Sequence, residues 1–238
     1  MEQKFDAVAF DVDGTLYPNY RFYLRLLPFI VREAAFLLAF GKARTILRAE
    51  RDRAAELLTP PPPGASFYRI QAGLMAKILK KDVCEIEEKV DRLIYKGWEE
   101  LFCAVRLFSH VRETIQAFRE RGLKTALLSD FPLRKKVENL KISGLWDIEL
   151  CSEEVGMLKP DVRSFAELEK RLAVPAHRIL FVGNSIRCDI AGAKNAGLQA
   201  ALISRNPLLT LKARRAGEAQ RPDFIFSAYR QLKAFVLE

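Results

Sequence analysis

The chain has 238 residues, a net charge of +9 at neutral pH and a sequence pI near 9.5. Half of its residues are hydrophobic, which is enough to bury a core and excludes a wholly disordered chain. The length fits one compact domain with a large insertion, or two small domains. The positive charge indicates an anionic substrate or surface, but it does not by itself separate substrate attraction from nucleic-acid binding.

The N-terminal residues, MEQKFDAVAF, lack the basic region and apolar run of a secretory signal. The four cysteines form no CxxC pair, and none has a histidine nearby at metal-ligand spacing. We therefore expect a cytoplasmic protein with reduced thiols at Cys84, Cys103, Cys151 and Cys188.

The first predicted element is a buried strand over residues 5–10, followed by Asp11-Val12-Asp13-Gly14-Thr15. Residues two apart on a strand share a face, so Asp11 and Asp13 are expected to point towards one site. Two carboxylates held together need a compensating cation or proton, and Mg²⁺ prefers oxygen ligands. Gly14 permits a sharp turn after the strand. A solvated acidic turn is the alternative explanation.

Residues 18–105 contain no convincing strand and are rich in good helix formers. The sequence TPPPPG at 59–64 predicts a stiff extended connector, with about four helices, two on each side of it. The apolar stretch 22–40 contains Arg25, Arg32, Glu33 and Pro28, so it is not predicted to span a membrane. Attachment to a membrane surface stays an alternative.

Further along, short apolar runs alternate with amphipathic segments. Strands are predicted at 123–128, 148–151, 179–182, 200–203 and 224–226, and helices at 110–121, 132–141, 162–172, 188–196, 207–216 and 228–237. This alternation predicts an α/β fold: a doubly wound parallel-sheet, Rossmann-like core with an inserted all-helical domain.

Polar residues follow three of the later strands. Ser129 and Asp130 come directly after 123–128, Lys159 precedes a predicted helix, and Asn184 and Asp189 follow 179–182. Each has an ordinary explanation: a turn residue, a solvated charge or a first-turn acid. In open α/β sheets, however, ligands bind beyond the carboxyl ends of the strands, so these residues are expected to converge on one crevice.

In this order, DVDGT at 11–15, Ser129, Lys159 and GNSIRCD at 183–189 resemble the four motifs of the haloacid dehalogenase superfamily of aspartate-nucleophile hydrolases. The resemblance implies an α/β catalytic core formed by residues 1–17 and 106–238. It also implies that residues 18–105 form a helical cap that sets substrate specificity.

The resemblance further implies a role for each motif residue. Asp11 would be the nucleophile that forms an aspartyl-phosphate, and Asp13 the general acid and then base. Ser129 and Lys159 would hold the phosphoryl oxygens, with backbone amides near Gly14 and Asp130 as further phosphate contacts. The implied Mg²⁺ ligands are Asp11, the Asp13 backbone carbonyl, Asn184 and Asp189.

Two positions depart from the family pattern. Asn184 stands where the family commonly has aspartate, and its neutral carbonyl oxygen is a weaker Mg²⁺ ligand. Asp130 stands where asparagine is frequent. A second carboxylate beside a bound phosphate would be unfavourable, so the Asp130 side chain is expected to point away from it.

Asp13 favours a phosphatase, because dehalogenases expel halide without protonation and generally lack this second aspartate. The sequence therefore predicts a Mg²⁺-dependent phosphoric monoester hydrolase that acts on a small phosphorylated metabolite. A phosphomutase and a non-enzymatic protein that binds phosphorylated ligands or protein partners remain alternatives.

Two basic clusters raise nucleic-acid binding as a further alternative. They are Arg44, Arg48, Arg51 and Arg53, and Lys212, Arg214 and Arg215. Each is interpreted as one solvated helix face, because no nucleic-acid-binding motif accompanies them. The sequence predicts no nucleic-acid or membrane partner, and it does not indicate an oligomeric state.

Overall fold

The computed structural model describes residues 4–49, 66–133 and 135–238. Its centre is a parallel sheet of six strands in the order β3-β2-β1-β4-β5-β6. The strands are β1 (Ala7–Phe10), β2 (Lys124–Ser129), β3 (Ile148–Cys151), β4 (Ile179–Gly183), β5 (Gln199–Ile203) and β6 (Phe224–Phe226). All six lie where the sequence predicted strands, and the Rossmann-like fold class is confirmed.

Both faces of the sheet are covered by hydrophobic residues. Along β1, Val8 and Phe10 contribute to one hydrophobic cluster, whereas Ala7 and Ala9 contribute to the other. Successive strand residues point to opposite faces, so each strand except β3 supplies residues to both clusters. The apolar residues Ile148 and Leu150 of β3 contribute to one cluster only. Burial on both faces explains why the other strands have nearly continuous apolar sequences.

The α-helices are distributed between the strands. They are α1 (Asn19–Arg32), α2 (Ala34–Ala49), α3 (Phe67–Leu79), α4 (Val83–Val90), α5 (Val111–Glu120), α6 (Lys136–Asn139), α7 (Val162–Leu172), α8 (Ala191–Asn195), α9 (Pro207–Arg214) and α10 (Tyr229–Leu237). A π-helical segment, Asp91–Lys96, and a 3₁₀ helix, Glu99–Ala104, follow α4. Of the helices described here, none combines the length and apolar character needed to cross a membrane.

The described parts of the insertion between β1 and β2 contain helices and no strand, with α1 and α2 before residues 50–65 and α3 and α4 after them. The predicted proline connector at 59–64 lies outside the described residues. Helices α2 to α4 contribute to a third hydrophobic cluster, which also includes Leu158. In contrast, Phe22 and Leu26 of α1 belong to the same cluster as Val8 and Phe10 of β1. The division into residues 1–17 with 106–238 and 18–105 stays a prediction.

The helix predicted at 132–141 is much shorter in the structure, where α6 covers Lys136–Asn139. Pro132 and Leu133 are not helical, and Lys141 has a φ of 56°, which ends the helical turn. The resulting short helix presents its first residue, Lys136, to the carboxyl ends of the strands.

Candidate active site

Asp11 lies directly beyond β1, at the centre of the sheet. Its backbone N–H donates to the carbonyl of Val182 on neighbouring β4 (2.9 Å). Its carboxylate accepts a hydrogen bond from the Lys159 Nζ (2.6 Å) and another from the Thr15 Oγ1 (2.8 Å). These contacts fix a nearly buried carboxylate at the point where the strand order reverses, which is where ligands bind in such sheets.

Lys159 is almost fully buried and holds two carboxylates together. Its Nζ lies 2.6 Å from an oxygen of Asp11 and 2.9 Å from an oxygen of Asp189, and it also donates to the Leu128 carbonyl (3.1 Å). Burial disfavours its charge, but the nearby carboxylates outweigh that cost and raise its pKa. Lys159 is therefore not the solvated charge considered as an alternative.

Asp189 is oriented by the backbone that follows β4. One of its carboxylate oxygens accepts hydrogen bonds from the N–H groups of Asn184 (3.1 Å) and Ser185 (2.9 Å). Gly183 is required here, because a Cβ at this position would lie 2.3 Å from the Cβ of Asp189. The glycine and the turn thus bring Asp189 against Lys159, and Asp189 is not an exposed first-turn acid.

The charges around Asp11 do not balance. Burial raises the pKa of Asp11 to about 7, against the opposing effect of Lys159, and the carboxylates of Asp189 and Asp13 raise it further. A single ammonium group thus serves two buried carboxylates, Asp11 and Asp189. A cation bound between them would relieve this repulsion.

The donor set fits Mg²⁺. No group of three or more His, Cys, Asp or Glu side chains that could hold a metal ion occurs in the described parts of the chain. Mg²⁺ does not need one, because it commonly takes one or two carboxylates and completes its shell with water and substrate phosphate. The oxygens predicted for it, those of Asp11, Asp13, Asn184 and Asp189, follow the neighbouring strands β1 and β4.

Asp13 lies beside Asp11 in sequence but makes different contacts. Its carboxylate accepts a hydrogen bond from the Tyr17 hydroxyl and pairs with the Lys136 Nζ, at 3.0 and 3.1 Å from the two oxygens. Burial and the Asp13 charge raise the pKa of Tyr17 well above its usual value. Tyr17 therefore stays protonated and available as a donor.

Lys136 is the residue of this site that the sequence analysis missed. Its Nζ is buried near the rings of Phe102 (4.8 Å to the centroid) and Phe131 (5.5 Å). In the sequence it is one of two adjacent lysines in a predicted helix, and nothing distinguishes it from its neighbour Lys135. Its partner Asp13 lies 123 positions away in sequence.

Ser129 is the last residue of β2, and Asp130 follows it next to the site. The Ser129 Oγ accepts a hydrogen bond from the Phe131 N–H (3.1 Å). The Asp130 carboxylate accepts hydrogen bonds from the Ser152 hydroxyl (2.6 Å) and the Lys159 backbone N–H (2.9 Å). Its second oxygen lies 3.0 Å from the Arg48 Nη2.

These partners explain the state of Asp130. Burial alone would raise the pKa of Asp130, but the three cations Lys159, Arg44 and Arg48 lower it. The Asp130 carboxylate therefore contacts both the Lys159 backbone and Arg48 of the insertion. Whether Asp130 contacts a phosphate through its backbone stays a prediction.

Gly14 lies where the chain turns away from the sheet. Its φ of +88° belongs to the left-handed region that favours glycine. A Cβ there would lie 2.0 Å from the Asn184 Nδ2 and 2.6 Å from the Asn19 Nδ2. Gly14 therefore allows the Asn184 amide to lie close to the first motif.

A cavity of about 370 Å³ opens beyond Asp13, between the insertion and the core. Much of its wall is aromatic, and Tyr17 and Lys136 line it next to Asp13. The aromatic residues of the insertion that line this cavity are Phe22, Tyr23, Phe40, Tyr95, Trp98 and Phe102.

The solvated helix face predicted for the first basic cluster is wrong at Arg44. This residue is 3% exposed and pairs with buried Glu153, and it donates to the Asp130 carbonyl (2.7 Å). Its guanidinium also lies 4.2 Å from the Phe131 ring centroid. Burial is possible because Glu153, beyond β3, supplies the opposite charge. Arg51 and Arg53 lie outside the described residues.

The second basic cluster, Lys212, Arg214 and Arg215, is exposed at the end of α9, as expected for a solvated face.

The four cysteines are free thiols, with Cys84 and Cys103 exposed and Cys151 buried.

Comparisons with known proteins find phosphatases that are similar to this chain. A glyceraldehyde 3-phosphate phosphatase from Methanopyrus kandleri is 27% identical over 236 residues, covering 98% of this chain and 97% of that protein. One from Methanothermobacter thermautotrophicus is 25% identical over 201 residues, covering 83% and 85%. A phosphoglycolate phosphatase from Salmonella paratyphi A is 28% identical over 214 residues, covering 82% and 79%.

Solved structures share the fold. A dehalogenase captured with an intermediate complex aligns with a TM-score of 0.66 at 17% identity, covering 100% of both chains. A haloacid dehalogenase-type phosphatase from Thermococcus onnurineus aligns with a TM-score of 0.60 at 20% identity, covering 98% of both. At these identities the likeness shows the architecture alone.

The sequence model for the haloacid dehalogenase-like hydrolases matches residues 5–197, which include all four motifs. The match extends across the insertion as well as most of the sheet. The predictions of an enzyme and of a hydrolase are confirmed, and the phosphatase type agrees with the names of the relatives. The chain belongs to the haloacid dehalogenase-like hydrolases.

Proposed function

We propose that this hydrolase is a Mg²⁺-dependent phosphatase that cleaves the phosphoric monoester of a small metabolite through an aspartyl-phosphate on Asp11. The observation that carries the proposal is the different placement of the two aspartates. Asp11 is buried against Lys159, whereas Asp13 faces the cavity. A nucleophile at the sheet and a proton donor towards the leaving group are what phosphoryl transfer requires.

In the first step, an Asp11 carboxylate oxygen attacks phosphorus and forms a P–O bond as the bond to the leaving oxygen breaks. Asp13 donates its proton to that oxygen, so an alcohol departs. Lys159 and Ser129 contact the phosphoryl oxygens and offset their negative charge.

In the second step, the Asp13 carboxylate removes a proton from water. The water oxygen attacks phosphorus, the bond to Asp11 breaks, and inorganic phosphate leaves. Tyr17 and Lys136, which contact Asp13, keep its carboxylate oriented through both steps.

The metal would be held by Asp11, the Asp13 carbonyl, Asn184 and Asp189. When bound, Mg²⁺ supplies positive charge that offsets the repulsion between the Asp11 carboxylate and the phosphate. Asn184 contributes no charge to this set. Asp189, which is 2% exposed, therefore supplies more of the negative charge that faces the metal than it would if residue 184 were an aspartate.

We also propose that residues 18–105 act as a cap over the core. Cap residues line the cavity beyond Asp13, and they meet core residues Phe131, Pro132 and Lys136 there. The phosphoryl group is handled by the core, so the cap residues would select the remainder of the substrate.

Asp13 also argues against a dehalogenase, although dehalogenases are among the structural neighbours. A halide leaves without a proton, so a dehalogenase has no use for a carboxylate that faces the leaving group. In the phosphatase, the same side chain acts as a carboxylic acid: it gives its proton to the leaving alkoxide oxygen and becomes the carboxylate.

The test is phosphate release from an aryl phosphate such as 4-nitrophenyl phosphate. We expect turnover with Mg²⁺, loss of activity with a chelator, and recovery when Mg²⁺ is added back. Asp11→Asn should lower kcat at least about 10⁴-fold, since an amide cannot form the acyl phosphate. Chloride release from 2-chloropropionate is measured in parallel.

The intermediate is tested separately by quenching the enzyme in acid after mixing with labelled phosphate ester. We expect a hydroxylamine-sensitive label on the wild-type enzyme and none on Asp11→Asn. Normal turnover by Asp11→Asn, or chloride release with no phosphate release, would refute the proposal. Asp82→Asn, at the exposed start of α4, is the matched control and should retain activity, because asparagine also caps a helix.

A further inference from the structure

The cavity beyond Asp13 is largely aromatic, whereas the region around Asp11 and Lys159 is charged. Its wall includes the rings of Phe22, Phe40, Trp98, Phe102 and Phe131. Several of these rings pack directly on one another: Phe22 stacks on Phe102 with centroids 4.8 Å apart, and Phe40 stacks on Phe131 at 6.3 Å. The rings form a continuous apolar surface that joins the insertion to the core.

The cationic groups that line the cavity are already paired. Among the described lining residues, Lys136 faces Asp13, Arg44 faces Glu153 and Arg48 faces Asp130. Glu99 adds a further carboxylate to the lining. A carboxylate on the leaving group would therefore have to compete with existing ion pairs, and it would lose hydration to do so.

The position of the cavity determines which part of a substrate enters it. Asp13 lies at its polar end beside Lys136, whereas Asp11 is not among its lining residues. If phosphorus is bound at Asp11 and Asp13 protonates the leaving oxygen, the carbon skeleton of the leaving alcohol extends from Asp13 into the aromatic cavity.

We infer that the substrate is the phosphate monoester of a bulky apolar alcohol, aromatic or long-chain, and not of a small polyol or hydroxy acid. The inference rests on the proposed function, because it assigns the leaving group of that reaction. It separates this chain from its relatives, whose names specify glyceraldehyde 3-phosphate and phosphoglycolate. A cavity of about 370 Å³ has the size of a small-molecule site.

The test compares kcat/KM for esters whose alcohols have similar acidity, so that intrinsic reactivity contributes little. Benzyl and octyl phosphates supply apolar leaving groups, whereas ethyl phosphate and phosphoglycolate supply small ones. We expect the better apolar ester to exceed both small esters at least about tenfold, since each added methylene in an apolar pocket gives that order of discrimination. Preference for benzyl over octyl identifies a flat ring as the favoured group, and the reverse identifies a chain.

Adjacent residues of α2 provide a matched pair of variants. Leu37 lines the cavity, whereas Leu38 is 69% exposed and is not among the lining residues. Leu37→Asn should reduce the preference for the apolar ester at least about threefold, because it places an amide in the wall. Leu38→Asn should leave the preference unchanged.

Two results would overturn the inference. Turnover of ethyl phosphate or phosphoglycolate as efficiently as the apolar esters refutes the leaving-group assignment and leaves the phosphatase intact. Hydrolysis of none of the esters, including 4-nitrophenyl phosphate, refutes the proposed function together with the inference.

Discussion

Each of the two aspartates of the first motif forms an ion pair with a different lysine. Lys159 pairs with Asp11 and Asp189, and Lys136 pairs with Asp13. Neighbouring carboxylates can have different chemical roles when their surroundings differ. Here the surroundings are set by residues from distant segments of the chain, which converge at the ends of β1, β2 and β4.

The balance of charge at Asp11 has a consequence for stability. Its folded-state pKa is raised from 3.8 to about 7, mainly by burial. Ionised Asp11 is thus disfavoured in the folded state: the cost is absent below about pH 4, grows as the pH rises towards 7, and is complete above it. A pKa difference of this size corresponds to at most about 4 kcal/mol.

Asp11→Asn removes this cost, because the amide does not ionise. Without divalent cations, we expect the variant to gain about 3 kcal/mol over the wild type on going from pH 4.5 to pH 8. Urea unfolding at the two pH values measures it. A stability difference that is the same at both pH values would contradict the prediction.

At the scale of elements, the short apolar runs were enough to predict the strands, because a strand buried on both faces consists almost entirely of apolar residues. The first motif and Lys159 were expected at one crevice because each lies next to a strand or helix boundary, and their roles followed from the resemblance to the family. Lys136 and Arg44 could not. Their burial depends on Asp13 and Glu153, far away in sequence, and no local pattern encodes those pairs.

The Arg44–Glu153 pair connects α2 of the insertion to the segment after β3. Both side chains are almost completely buried. Removing one partner leaves an uncompensated charge in the interior, which typically costs about 3 to 5 kcal/mol. Burial raises the pKa of Glu153, while Arg44 opposes that change and favours its ionised form.

We expect Arg44→Met to lower the free energy of unfolding by about 3 kcal/mol, and Glu153→Gln to lower it by a similar amount. The double variant should lose less than the sum, because neither charge is then left unpaired. Denaturant unfolding of all four proteins measures the coupling. Lys42→Met, an exposed change on the same helix, is the control. Strictly additive losses would mean that the pair does not connect the two elements energetically.

At the scale of the whole molecule, the net charge of +9 is a property of the surface more than of the site. The cations at the site are paired with carboxylates, whereas Lys212, Arg214 and Arg215 are exposed on α9. A positive exterior attracts anions at long range, and salt screens that attraction. Chemistry inside a buried site is screened much less.

We therefore expect kcat/KM for a phosphate ester to fall several-fold between about 20 and about 300 mM NaCl, while kcat changes little. Neutralising the α9 cluster as Lys212→Gln/Arg214→Gln/Arg215→Gln should weaken the salt dependence without changing kcat, because these side chains act only through the field. Steady-state kinetics across the salt range measures both parameters. A parallel fall in kcat would show that salt acts on the catalytic groups themselves, and the positive exterior would then have no part in capturing substrate.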